Sequence, residues 1–171
     1  MIVGHGNLLK LFPDFKEDIQ ENGIDLRIGE LYTIHPLRHG VFKCKIGCIN
    51  DKKYIPTYYP VKREDKDHYV LEPRTFYFGK IDRPIHIPKG YIQQYYLRSS
   101  FSRCGLILTD AIGDSGFKGT LMFGLYNSGY SKVHMGFNER IIQAVTIKTD
   151  GTALEYDGDY QNDKIYKEQK G

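Results

Sequence analysis

Residues 97–119 hold the densest group of side chains that could do chemistry in this chain of 171 residues. They read LRSSFSRCGLILTDAIGDSGFKG, so an Arg-Ser-Ser-x-x-Arg segment precedes a Gly-Asp-Ser-Gly turn. Serine hydroxyls, guanidinium groups and backbone amides suit a polyphosphate, because each donates hydrogen bonds to anionic oxygens. A carboxylate in the turn suits activation of water or recognition of a sugar. Whether the two halves form one site depends on the fold that positions them.

The Arg-Ser-Ser segment is a candidate anion site. Arg98 and Arg103 offer forked donors that match phosphate oxygens, and Ser99 and Ser100 place hydroxyls and amides close together. If Ser100 caps a helical turn, the free amides of that turn would add to the site. The alternative is an ordinary serine-capped turn with solvated arginines.

The Gly-Asp-Ser-Gly turn is a candidate catalytic element. Gly113 and Gly116 flank Asp114 and allow a tight turn that presents one carboxylate to a cleft. Such a carboxylate could orient and deprotonate water, and Phe117 could stack on a sugar or a base. The alternative is a hairpin turn in which Asp114 bonds to its own backbone.

Short strands are predicted to position these segments. Apolar residues alternate with polar ones over residues 22–34, which is strand periodicity, and Asn22-Gly23 before them indicates a turn. The first twenty residues have a broken helical spacing, in which Asn7 could cap a helix that Pro13 ends or restarts. From Tyr69 onward, strands recur between glycine and proline breaks. We therefore predict an all-β sandwich or jelly roll with one short N-terminal helix.

The composition predicts one domain over residues 1–171, with an N-terminal helical segment at 1–21 and a polar, flexible tail at 150–171. The net charge of +3 is mild, so we expect no nucleic acid partner. The sequence has no apolar run long enough for a membrane helix and no secretory signal, so we expect no membrane partner and a cytoplasmic location. The 3 cysteines do not indicate a disulfide framework.

His35, His39, Cys44 and Cys48 are four residues of the types that bind zinc, within 14 positions of one another. The spacing of the cysteines is looser than the usual Cys-x2-Cys of zinc sites, and Pro36 and Gly40 disfavour a helical histidine pair. We therefore predict no metal cage built by the protein alone.

The order of the motifs carries more information than any one of them. The segments NGIDLRIG, LRSSFSRCGL, GDSGFKG, LYNSG and ERIIQ follow one another in an order that resembles the dCTP deaminase and dUTPase superfamily. The resemblance runs from about Asn22 to the C-terminus. It implies a distorted jelly-roll β fold and a homotrimer with nucleotide sites between subunits. It also implies that Mg²⁺ is held mainly by the nucleotide triphosphate, so that the ion needs few ligands from the protein.

The resemblance also implies roles for individual residues. The positions that match the triphosphate-binding loop are Arg98, Ser99, Ser100 and Arg103. Asp114 matches the acidic residue that handles sugar and water, and Phe117 matches an aromatic residue that packs on deoxyribose. Gln143, with Arg140, matches a motif near the phosphates and a subunit contact, and Asp25 matches the first motif. An isoleucine usually stands at the position of Gly113.

Position 124 separates the two activities that the resemblance implies. Deaminases of the superfamily carry a glutamate just before the turn that matches Asn127-Ser128-Gly129, and this chain has Gly124 there. Glycine cannot shuttle a proton. We therefore predict dUTP hydrolysis to dUMP and pyrophosphate, with Asp114 activating water at the α-phosphorus. The alternatives are dCTP deamination, alone or coupled to dUTP hydrolysis, and a nucleotide-binding relative without catalysis.

The tail resembles that of the deaminases, whereas the predicted chemistry is that of a dUTPase. This combination resembles the archaeal type of dUTPase. Two alignments of the tail fit. One matches Tyr160-Gln161 to the tail motif, and the other matches Tyr166, Gln169 and Gly171, with Lys164 near the phosphates. We favour the second alignment. Either way, the tail is predicted to be mobile without ligand and to fold over the nucleotide.

Overall fold

The structure, a computed structural model, describes residues 1–34, 58–64, 67–109 and 111–163. Its strands are β1 Ile24–Ile34, β2 Tyr58–Pro60, β3 His68–Leu71, β4 Phe76–Ile81, β5 Ile85–His86, β6 Tyr91–Leu97, β7 Leu106–Thr109, β8 Lys118–Gly119, β9 Met122–Asn127, β10 Val133–Gly136 and β11 Arg140–Lys148. The helices are α1 His5–Leu11 and α2 Ser99–Arg103, with 3-10 turns at Pro13–Phe15 and Gln161–Asp163. The predicted all-β class is confirmed.

Strand β1 bends and connects the two halves of the largest sheet. The largest sheet has the order β6-β11-β1-β4-β9-β7, all antiparallel, with β2 also paired to β1. The first part of β1 pairs with β11 and the second part with β4, and irregularities at Leu26/Arg27 and Ile28/Glu30 separate the two parts. A Cβ on Gly29 would lie 2.7 Å from the Cα of Asp82, so only glycine fits this bend. Strands that switch sheets at bulges form the corners of such folds.

The core fills the space inside this folded sheet. The predicted alternation in β1 is confirmed, since Ile24, Leu26 and Ile28 are at most 1% exposed. Phe123 and Leu125 of β9 are equally buried in the same cluster. Burial of each such side chain stabilises the fold by roughly 1.5–3 kcal/mol.

The N-terminal segment covers one end of the core. Helix α1 begins after Gly4, whose carbonyl accepts the amides of Asn7 and Leu8 at 3.1 Å each. The prediction that Asn7 caps the helix is therefore wrong, because the chain already turns at Gly4 and Asn7 lies inside the first turn. Pro13 starts a new 3-10 turn, as predicted, and Phe12 and Phe15 beside it are buried.

Two sets of predicted residues lie outside the part of the chain that the structure describes. The zinc candidates His35, His39, Cys44 and Cys48 lie outside the described residues, as do Lys164, Tyr166 and Gln169 of the tail. Within the described ranges, none of the helices has the length and apolar character needed to cross a membrane.

Candidate functional site

The Arg-Ser-Ser segment forms a short helix at the end of β6. Arg98 is the N-cap of α2, and its carbonyl accepts the amides of Phe101 and Ser102 at 3.0 and 3.2 Å. Ser99 and Ser100 are exposed residues of the first turn. The prediction that Ser100 caps the helix is therefore wrong by two positions, because the extended backbone of β6 ends at Arg98. The first-turn amides of a helix lack partners within the helix, so this segment can still receive an anion.

Residues of three predicted motifs lie together: Asp25 of the first motif, Arg98 of the Arg-Ser-Ser motif and Gln143 of the motif near the phosphates. In the paired strands Asp25 of β1 stands opposite Gln143 of β11, and Gln143 stands opposite Tyr96 of β6. Arg98 follows Tyr96 by two positions, and its Nε lies 3.4 Å from Oδ2 of Asp25. Its Nη1 also donates to the carbonyl of Arg140 at 3.2 Å. These contacts hold the Arg98 side chain against Asp25, whose partner in the paired strands is Gln143.

Asp25 is the buried charge among these residues, with a side chain only 3% exposed. Burial raises the pKa of the Asp25 carboxyl, whereas Arg98 and Arg140 lower this pKa to a smaller degree. The carboxylate therefore depends on Arg98 for its compensation, and Arg98 depends on Asp25 for its position.

An arginine cluster around Asp18, which the sequence did not predict, supports the same region. The buried Asp18 carboxylate lies 2.8 Å from Nη2 of Arg27, 3.1 Å from Nε of Arg140 and 3.4 Å from Nη2 of Arg83. Removal of one buried charge from such a group is costly, because the others lose their compensation. The cluster thus ties the N-terminal segment to Arg140.

The Asp114 turn is held from one side by β6 and by the segment that leads into it. Gly113 and Gln93 exchange two backbone hydrogen bonds of 2.8 and 2.9 Å. The hydroxyl of Ser115 accepts the amide of Gly90 at 2.9 Å. The amide of Gly116, at φ +78°, donates to Ile87 at 3.0 Å. The turn therefore presents the exposed Asp114 side chain from a fixed backbone.

Tyr95 explains the glycine at position 113, where the resemblance leads us to expect isoleucine. A Cβ on Gly113 would overlap the hydroxyl oxygen of Tyr95 and lie 2.6 Å from Cδ1 of Ile87. The Tyr95 hydroxyl donates to Oε1 of the buried Gln93 at 3.2 Å. The space that a larger residue would fill is occupied by Tyr95, so the turn is not loosened by the glycine.

An aromatic cleft of about 430 Å³ opens beside Asp114. Its aromatic lining is Tyr58, Phe78, Tyr95, Phe117, Tyr156 and Tyr160. The rings of Phe117 and Tyr156 meet edge to face with centroids 5.8 Å apart. Burial, and to a smaller degree the charge of Asp114, raises the pKa of the Tyr156 phenol, which therefore stays neutral near pH 7. Neutral aromatic walls around one carboxylate suit a flat, partly apolar ligand.

Residues 156–163, which we call the strap, form part of this cleft. Tyr156 and Tyr160 line it, and Gln161 bonds to the backbone of the Asp114 turn region. The strap therefore contains the residues of the first tail alignment, Tyr160-Gln161. The residues of the second alignment, which the sequence favours, lie outside the described part of the chain.

Position 124 is closely filled. Gly124 stands opposite Phe78 of β4 and Thr109 of β7 in the paired strands. A Cβ on Gly124 would overlap Oγ1 of Thr109 and lie 2.5 Å from Cζ of Phe76. The rings of Phe76 and Phe78 pack with centroids 5.1 Å apart. The position therefore lacks a carboxylate, and the side chains of Thr109 and Phe76 would have to move to admit one.

The two predicted halves of the site do not meet within one chain. Gly113 pairs with Gln93, whereas Arg98 lies five residues further along the chain, just past the end of β6 and about 16 Å away for extended chain. None of residues 98–103 lines the cleft beside Asp114. In the parts of the chain that the structure describes, three or more His, Cys, Asp or Glu side chains nowhere converge to hold a metal ion.

A protein-family comparison agrees with the motif order. A family model described as dCTP deaminase-like matches residues 7–149. This match spans the described core from α1 to the end of β11.

Curated relatives carry two different names. A probable deoxyuridine 5′-triphosphate nucleotidohydrolase of Methanothermobacter thermautotrophicus is 38% identical over 161 residues, which cover 94% of this chain and 99% of the relative. One from Methanopyrus kandleri is 30% identical over 161 residues, 94% of this chain and 99% of the relative. A dCTP deaminase of Pyrobaculum neutrophilum is 29% identical over 164 residues, 95% of this chain and 88% of the relative.

A solved structure supports the fold. The crystal structure of 2′-deoxycytidine 5′-triphosphate deaminase from Agrobacterium tumefaciens matches with a TM-score of 0.60 and 18% identity. The match covers 85% of this chain and 47% of that chain, so this chain spans about half the length of that deaminase.

Proposed function

Because this chain belongs to the dCTP deaminase-like family, we propose that it is a dUTP diphosphatase, which hydrolyses dUTP to dUMP and pyrophosphate. Two of its relatives are named as probable enzymes of this activity, and they align over nearly their whole length. Other relatives of similar length coverage are named dCTP deaminases, so the choice between the activities rests on the site itself.

The observation that carries the proposal is the contrast between positions 114 and 124. Asp114 stands on a fixed turn at the aromatic cleft, where it can accept a proton from water. Gly124 offers no proton acceptor, and Thr109 and Phe76 occupy the space of any side chain there. Hydrolysis needs only the first of these positions, whereas deamination by the route that the resemblance implies needs the second.

In the proposed mechanism, Asp114 takes a proton from a water molecule that attacks the α-phosphorus in line with the leaving group. A bond forms between the water oxygen and the α-phosphorus, and the bond from that phosphorus to the bridging oxygen of pyrophosphate breaks. Phe117 and Tyr156 would pack on the deoxyribose and the base and so hold the α-phosphorus near Asp114.

The triphosphate would be bound by donors from a second copy of the chain. Arg98, Ser99, Ser100, Arg103 and Gln143 are the proposed donors, and their distance from the Asp114 cleft within one chain supports a site shared between subunits. A homotrimer would bring the two halves together. Lys164, Tyr166 and Gln169 are proposed to add further contacts to the phosphates.

Magnesium fits this arrangement only as an ion bound mainly through the nucleotide. Among the residues that line the aromatic cleft, Asp114 is the one with a carboxylate. One carboxylate supplies too few oxygen ligands to bind Mg²⁺ through protein atoms alone. When bound, Mg²⁺ would reduce the negative charge that opposes attack at the α-phosphorus.

The proposed attack predicts where oxygen from the solvent enters the products. Hydrolysis of dUTP in H₂¹⁸O should place ¹⁸O in the phosphate of dUMP, because water attacks the α-phosphorus. Mass spectrometry of dUMP and pyrophosphate distinguishes the possible sites of attack. Label in pyrophosphate would mean attack at the β-phosphorus and would refute this mechanism, and nucleotide binding without any product would favour a relative that has lost catalysis.

A further inference from the structure

Side chains of the strap form hydrogen bonds to backbone groups of residues 116–120, which follow Asp114. These bonds take the place of the backbone bonds that a neighbouring strand would make. Gln161 accepts the amide of Lys118 with Oε1 at 2.7 Å and donates through Nε2 to the carbonyl of Gly116 at 2.9 Å. Asp163 accepts the amide of Thr120 with Oδ1 at 2.6 Å. These bonds satisfy the edge of β8 that does not pair with β5. The strap therefore fixes the backbone just after Phe117.

Asp163 accepts two hydrogen bonds from a single residue, Thr120. Besides accepting the Thr120 amide, its Oδ2 accepts the hydroxyl of Thr120 at 3.0 Å. Thr120 is 9% exposed and lines the aromatic cleft. A carboxylate that accepts two hydrogen bonds from one residue fixes its own backbone as well as its partner's.

The backbone of the strap is strained at this contact. Asn162 and Asp163 have φ values of 56° and 57°, in the left-handed region, which asparagine and aspartate adopt more readily than most residues but at a higher cost than glycine. Two consecutive residues of this kind persist only where other contacts compensate. The bonds of Asp163 to Thr120 supply such contacts, so their loss should release the strap.

Three parts of the molecule meet at Gly119. A Cβ built there would lie 3.0 Å from Oδ1 of Asp163, 3.1 Å from Cζ of Phe117 and 3.3 Å from the carbonyl of Tyr160. Phe117 and Tyr160 both line the cleft. The Asp163 side chain therefore packs at the same point as Phe117 and Tyr160, two residues that line the cleft.

We propose that Asp163 is a positioning residue of the nucleotide site, which holds Tyr160 in the cleft wall through its two hydrogen bonds to Thr120. This inference rests on the proposed function, because it assumes that the Asp114 cleft receives the nucleotide. Asp163 itself touches no reacting atom in this account. Its loss should weaken nucleotide binding and leave the chemical step nearly intact.

The test compares four variants. Asp163→Ala loses both hydrogen bonds, so we expect about tenfold increases in KM for dUTP and in Kd for a non-hydrolysable dUTP analogue, with kcat changed by about twofold or less. Asp163→Asn can still accept the Thr120 amide and should stay within about threefold of wild type. Thr120→Val loses the hydroxyl alone and should lie between them. Asn162→Gly is the matched control in the strap, because glycine adopts positive φ freely, and it should not raise KM.

Hydrogen exchange separates the structural contact from its role in binding. In Asp163→Ala, the amides of Thr120 and Lys118 should exchange faster than in the wild type, because the strap no longer covers them. Faster exchange with unchanged Kd would overturn the positioning role, and unchanged exchange would overturn the contact itself. If the wild type releases no pyrophosphate from dUTP, the proposed function fails, whereas the Kd for the analogue still decides the role of Asp163.

Discussion

Replacement of Asp114 by asparagine is expected to lower kcat for dUTP hydrolysis by about 10²–10⁴-fold, the usual contribution of a general base. Asparagine keeps the size of the side chain but cannot take a proton from water. The turn itself should persist, because Gly113, Ser115 and Gly116 hold it through their own hydrogen bonds. The affinity for the non-hydrolysable analogue should therefore stay within about threefold of the wild type. Steady-state kinetics and calorimetry on the same preparation measure both quantities.

Asp150→Asn is the matched control for this substitution. Asp150 is an exposed carboxylate beyond β11 whose Oδ1 accepts the amide of Gly151 at 2.9 Å. It shares an open neighbouring cavity with Asp114 but does not line the aromatic cleft, so it controls for negative charge close to the site. Its replacement should leave kcat unchanged. If Asp114→Asn hydrolyses dUTP at the wild-type rate, Asp114 is not the base, and if both variants lose activity equally, the loss reflects general charge rather than the site.

Replacement of Gly124 by alanine is expected to destabilise the fold by about 1–3 kcal/mol, the usual cost of overpacking. The new Cβ would overlap Oγ1 of Thr109 and press on the ring of Phe76. Both neighbours belong to strands paired within the same sheet, so neither can move away freely. Denaturant unfolding measures this difference. Gly124→Glu should be at least as destabilised and should release no ammonia from dCTP.

Two further variants test the cause of this cost. Thr109→Ala removes the overlapping hydroxyl, so Gly124→Ala combined with Thr109→Ala should recover part of the lost stability. Gly6→Ala, in α1 with nothing within 4 Å of the new Cβ, should be neutral or stabilising by up to about 1 kcal/mol. A Gly124→Ala protein as stable as the wild type would show that position 124 has room for a side chain, which would remove the steric part of the argument against deamination.

The sequence predicted those features that lie close together along the chain. The alternation of Ile24, Leu26 and Ile28 predicted a half-buried strand, and the strand has that pattern because one face of β1 packs on the core. The order of the motifs predicted the family, which the family comparison confirms. The turn around Asp114 was also predicted from its glycines, since backbone preferences at such residues are local.

Contacts between distant segments could not be predicted from the sequence. The arginines around Asp18 come from β1, β11 and the turn between β4 and β5, and nothing in the local sequence of Asp18 indicates which of them it contacts. Tyr95 fills the space above Gly113 only because β6 pairs with the segment that carries the turn. The roles of the predicted site residues remain predictions, because they require a nucleotide and a second copy of the chain.

The central claim is that the Asp114 cleft hydrolyses dUTP and that the filled position 124 excludes deamination. Product analysis of the purified protein with dUTP and dCTP side by side, in the presence of Mg²⁺, tests this claim most directly. We predict dUMP and pyrophosphate from dUTP, and no ammonia from dCTP. Ammonia release from dCTP, or the absence of pyrophosphate from dUTP, would contradict the claim.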